Sequence, residues 1–117
     1  MQITFSAPIL AGRVNEGTAF TLTARFWDDA TDAWTASTPT TVRYRVDCLD
    51  TGLTMTDWTS GTPSASLVIT VSRTANAMNN QSSRREGRQV TVQCNSGLSS
   101  QYADTFTYSV ENVGGIT

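Results

Sequence analysis

The sequence predicts an all-β, immunoglobulin-like β-sandwich of about seven antiparallel strands, and three observations predict it. Apolar and polar residues alternate at a period of two in segment after segment, turn-forming clusters interrupt them about every 8 to 12 residues, and helical periodicity is almost absent. Composition agrees: of 117 residues, 20 are Thr and 12 are Ser, and β-branched threonine suits a half-solvated pleated surface. A chain of this length is expected to form one domain, residues 1–117, around a single core.

The elements follow in order. The first strand is expected over about Gln2 to Ile9, with Ile3 and Phe5 on one face and Pro8 marking an edge or a bend. Residues 12–17, bounded by glycines, read as a turn. The second strand, Thr18 to Trp27, points Phe20, Leu22, Ala24 and Phe26 one way and Thr21, Thr23 and Arg25 the other. Asp28 to Pro39 is a long loop centred on Trp34, and its length makes it a candidate contact site. Thr41 to Leu49 returns to alternation, with Val42, Tyr44, Val46 and Cys48 inward and Arg43, Arg45 and Asp47 outward.

Asp50-Thr51-Gly52 turns the chain into a short return strand, Leu53 to Trp58. After Gly61-Thr62-Pro63, the fifth strand, Ser64 to Ser72, has the cleanest pattern, with Ala65, Leu67, Ile69 and Val71 inward. The polar stretch Arg73 to Gly87 crosses between sheets, with a helical turn expected around Asn76 to Asn80. Arg88 to Asn95 carries Val90, Val92 and Cys94 on one face. Asn95-Ser96-Gly97 then leads to a last strand, Gln101 to Asn112, with Tyr102, Phe106, Tyr108 and Val110 inward. This order makes the third and sixth strands neighbours, which lets Cys48 and Cys94 sit close together.

Composition excludes several functions. A net charge of -2 with 15% charged residues is far from the basic balance that phosphate neutralisation requires, so no nucleic acid is expected as partner. All eight basic residues are arginine. Without histidine there is no Ser-His-Asp or Cys-His nucleophile and no usual zinc site, and without lysine there is no Schiff base and no P-loop. The chain is therefore expected to be no enzyme, with no catalytic residues, no metal and no cofactor. Asp28, Asp29 and Asp32 could in principle hold a hard cation, but the glycine and terminal glutamate of a calcium loop are missing, and a solvated turn is the expected reading.

No stretch approaches the roughly 20 apolar residues that cross a bilayer, and residues 1–10 lack the layout of a secretory signal, so no membrane partner and no export are expected. Two cysteines are too few for a disulfide framework and read as buried thiols. Asn80-Gln81-Ser82 matches the glycosylation sequon, a chance match without export.

Arg84, Arg85 and Arg88, with Glu86 among them, form the basic concentration of the chain. Arginine pairs with carboxylates and stacks on rings, so these three are candidate protein-contact residues, against the alternative of a solvated loop. Trp34 is the fourth candidate, as a contact residue or as a lid folded back on the sandwich. Trp27 and Trp58 both fit the core. Pairing of an edge strand with a neighbour's sheet is a second binding mode.

Val14-Asn15-Glu16-Gly17-Thr18-Ala19-Phe20-Thr21-Leu22-Thr23-Ala24 resembles the turn and second strand of immunoglobulin-like domains. Pro39 to Leu49, Asp57-Trp58-Thr59-Ser60 and Glu86 to Val92 extend that likeness, and over nearly its whole length the chain resembles small immunoglobulin-like virion structural proteins of tailed bacteriophages. The resemblance implies a virion protein made in the bacterial host cytoplasm, first as a capsid decoration or cement protein on the outer head surface. Its partners would be other virion proteins, the major capsid protein above all, with self-association possible. A neck, collar or tail adaptor is the alternative, and a carbohydrate- or host-surface-binding module is the reading from another class. The resemblance assigns no functional residue.

Overall fold

The structure, a computed structural model, describes residues 1–30 and 33–113. Among them it is all-β without helix, and its strands are β1 (Gln2–Ser6), β2 (Arg13–Asn15), β3 (Phe20–Asp28), β4 (Thr35–Ala36), β5 (Val42–Cys48), β6 (Thr54–Gly61), β7 (Ser66–Val71), β8 (Arg85–Cys94) and β9 (Tyr102–Glu111). They form two sheets. In the first, β3 is central, with β1 on one side and β7 and the short β4 on the other. The second runs β2-β9-β8-β5-β6, antiparallel except where β2 joins β9 in parallel.

Alternation builds the interior. β3 reads buried at Phe20, Leu22, Ala24 and Phe26, and β7 at Leu67, Ile69 and Val71, so one face of the first sheet is apolar. Val42, Val46, Val90, Val92, Tyr108 and Val110 supply the opposing face, and the two sets form one contiguous core. Aromatic contacts join the sheets: Phe5 meets Phe106 at 5.9 Å between centroids, and Phe20 meets Tyr108 edge-on at 5.0 Å. The outer faces carry Thr, Ser and Arg in the intervening positions.

Five expectations need correction. Nine strands are present among the described residues where seven are expected. Residues 13–15, read as turn, form β2, because an N–H of Glu16 donates to the Glu111 carbonyl and the segment lies along β9. Thr35–Ala36 of the expected loop pairs with Trp27 and Asp28 as β4. The crossover's helical turn comes three residues early: the amide of Asn76 donates to the carbonyls of Ser72 and Arg73. Finally, Cys48 lies opposite Arg88 and Cys94 opposite Val42 in the β5–β8 ladder. At about 3.4 Å per residue the two thiols stand roughly 20 Å apart, and both are free.

Candidate functional site

Three places concentrate polar chemistry or leave main-chain groups open. The first is internal. The alternation that buries Val90, Val92 and Cys94 continues backward along β8, so Arg88 and Glu86 also face inward, at 0% and 1% exposure. Their side chains form an ion pair at 3.1 Å. Arg88 donates to the carbonyls of Ala75 (3.1 Å) and Ala77 (2.7 Å), while the Glu86 carboxylate accepts from the amides of Asn79 and Asn80. The pair thus holds the crossover between β7 and β8 against the sandwich. Beside it, the Tyr108 hydroxyl donates to Asn76 Oδ1 at 2.6 Å, and Asn76 Nδ2 donates to the Thr18 carbonyl at 2.7 Å. Burial raises the Tyr108 hydroxyl pKa, and Arg88 only partly opposes that.

Arg88 Nη1 also lies 3.1 Å from Cys48 Sγ. Burial pushes that thiol up, but hydrogen bonds from Thr51, Asn79 and the Asp50 backbone outweigh it, and the pKa falls below its ordinary value. Cys94 has no such partners, and burial pushes it up to about 11.

The second place is the outer face of the second sheet. β6 carries two extra residues relative to β5: Asp57 and Trp58 together oppose Arg45, and Met55 is inserted between Thr54 and Thr56. These bulges bring the Trp58 ring under two guanidinium groups, Arg43 at 4.1 Å and Arg45 at 5.5 Å from the centroid. Arg45 is also bidentate to Asp47, and Arg43 Nε donates to Gln93 at 2.6 Å.

The third place is the margin where β6 and β7 face each other across the two sheets. Only residues 62–65 connect these strands. Gly61 leaves room for the Leu67 side chain, whose Cδ1 would lie within 2.6 Å of a Cβ there. The sheets part here into a groove of about 430 Å³, lined by Tyr44, Ser60, Gly61, Ser64, Leu67 and Val68 among others. The Phe26 amide donates to the Ala65 carbonyl, so the antiparallel alternation commits residues 65, 67, 69 and 71 to β3. Ser66, Val68 and Thr70 therefore turn their N–H and C=O groups away from the sheet. No strand among the described residues pairs with that side of β7.

The structure does not gather the four residues singled out from the sequence. Trp34 is 52% exposed beside the last residues of β3. Arg84 and Arg85 lie at the opposite end, exposed at the start of β8, where Arg85 sits 3.6 Å from Glu111. Arg88 is corrected outright, since a wholly buried side chain meets no partner surface. Trp27 is half-buried on the outer face, its Nε1 donating to Thr4 Oγ1, and Trp58 lies on an outer face instead of in the core. Of the acidic cluster, Asp32 lies outside the described residues. Asp28 accepts from the Ala30 amide, and Asp29 accepts from Gln2 and the Met1 ammonium, contacts that lower its pKa. Extending the β8 alternation through Gly87 would have assigned Glu86 and Arg88 to the interior. The open edge of β7 had its signal in the shortness of the segment before it.

No protein-family profile and no curated protein matches the chain. Among solved structures, a conjugative transposon lipoprotein from Bacteroides eggerthii is similar at 14% identity and a TM-score of 0.46, over 91% of this chain and 95% of that one. The expected virion function is corrected on this finding. The similar structure bears the name of a conjugative transposon lipoprotein, no phage protein is among the matches, and capsid decoration and the neck or tail alternative are withdrawn.

Proposed function

We propose that the chain is a non-catalytic, immunoglobulin-like interaction module that binds protein by strand addition at β7. The layout supports the family of folds: β1, β3 and β7 occupy the places of strands A, B and E, and β5, β8 and β9 those of C, F and G, with β6 beside β5. In the four-stranded form of the first sheet a further strand flanks E. Here residues 62–65 are too few to supply one, and the edge of β7 stays open. That open edge is the observation that carries the reading.

Natural sheets protect open edges with charge, proline or bulges. β7, Ser-Leu-Val-Ile-Thr-Val, has none of these, and Val68 is 63% exposed at its middle. A partner strand would find unpaired main-chain groups for its ladder and a groove for its inward side chains. The absence of histidine and lysine from the sequence supports a role without chemistry.

The test is a synthetic peptide of the β7 sequence, flanked by lysines for solubility and titrated against the labelled chain. The amides of Ser66, Val68 and Thr70 should gain protection from hydrogen exchange, with those of β6 unchanged. Protection spread evenly over the molecule, or none at millimolar peptide, refutes strand addition.

A further inference from the structure

Resting on that reading, we infer that the partner at β7 is a second copy of this chain, joined antiparallel about a two-fold axis with Val68 opposite Val68. The residues of β7 fit themselves in this register. Ser66 then lies opposite the second copy's Thr70 and the reverse, so the three outward-turned residues of each strand exchange about six main-chain hydrogen bonds. Val68 meets its own copy on the outer face, where β-branched pairs contribute to cross-strand packing, and the hydroxyls of Ser66 and Thr70 come within reach of each other. On the inner face Leu67 faces the other copy's Ile69, which extends the apolar layer across the junction and brings side chains over the groove beside Gly61.

Charge, straightness and length together set this edge apart from the others. A two-fold junction places each residue near its own copy, so any charge at its centre repels itself. β7 carries no charge over Ser66–Val71. β6 would bring Asp57 against Asp57, and its two bulges break the straight ladder that pairing needs. β2 is three residues long and carries Arg13, while β1 stops at Ser6, two residues before Pro8.

Sedimentation of the full chain over a wide concentration range should show monomer and dimer only. Val68→Lys should weaken dimerisation at least about tenfold, because two ammonium groups would then oppose each other at the axis. At concentrations where both chains are monomeric its melting midpoint should match the parent's, since residue 68 points to solvent in the monomer. Val68→Cys should form a disulfide-linked dimer on mild oxidation, as directly opposed residues in this register have Cα atoms about 5.5 Å apart. S66C alone should not, whereas S66C mixed with T70C should. Cys48 and Cys94 are buried and do not compete.

A chain that stays monomeric at millimolar concentration overturns the inference, as does a dimer that V68K leaves intact or an assembly larger than two. If the β7 peptide still protects Ser66, Val68 and Thr70 while the chain stays monomeric, strand addition stands and the second copy falls. If the peptide fails too, both fall.

Discussion

Two groups of arginines on adjacent strands of one sheet do opposite things. Arg43 and Arg45 on β5 point outward and lie over the Trp58 ring, with water on one side. Arg88 on β8, opposite Cys48 in the ladder, points inward and is wholly enclosed. Parity along the strand separates them. An outward guanidinium keeps most of its hydration and gains a modest cation–π contact, whereas an inward one must replace all of its hydration with protein groups. Glu86, the Ala75 and Ala77 carbonyls and Cys48 Sγ do so for Arg88.

The sharpest way to break this contrast is Arg88→Ala, which leaves Glu86 buried without its counter-charge. It should cost about 3–5 kcal/mol in urea unfolding. Replacing Arg88 by Met together with Glu86 by Leu should recover much of that loss, since a buried pair is dear to break and cheap to replace as a unit. A double variant no more stable than Arg88→Ala would show that the crossover needs the polar contacts themselves. Next, Asn76→Ala strands the Tyr108 hydroxyl in the core and should cost about 1–3 kcal/mol by the same measurement.

On the outward side, Trp58→Ala should cost about 1 kcal/mol, mostly cation–π and stem packing, and its effect should shrink in high salt. At the small end, Arg84→Ala, Arg85→Ala and Trp34→Ala should each stay within about 0.5 kcal/mol of the parent, as exposed positions do. A loss above that at Arg85 would mean that its 3.6 Å approach to Glu111 is a stronger tie than exposed pairs normally provide.

Much of the architecture was legible because it rests on alternation. The inward sets of β3, β5 and β7 follow from period two alone, and the neighbouring of β5 and β8 follows from strand order. The missed strands were too short to show a period: β2 buries one residue, Val14, and β4 buries none. β6 hid its geometry differently. Its two inserted residues shift the parity of the strand midway, so Trp58 faces water although its pattern suits the core. Arg88 was legible in principle, since it keeps step with Val90 and Val92, but its charge argued for the surface until its partners were seen. The edge of β7 does not show in the pattern of its own residues, and its signal lies in residues 62–65, too few to form a flanking strand.

The twin irregularities of β6 bear on how far assembly can proceed. A molecule with two straight, uncharged margins could hand each one to a new neighbour and grow into a fibre without end. Here the kinked β6 margin disfavours a neighbour, and the inferred two-fold junction would consume the β7 margin in both molecules at once. Growth through these two margins would then halt at the pair.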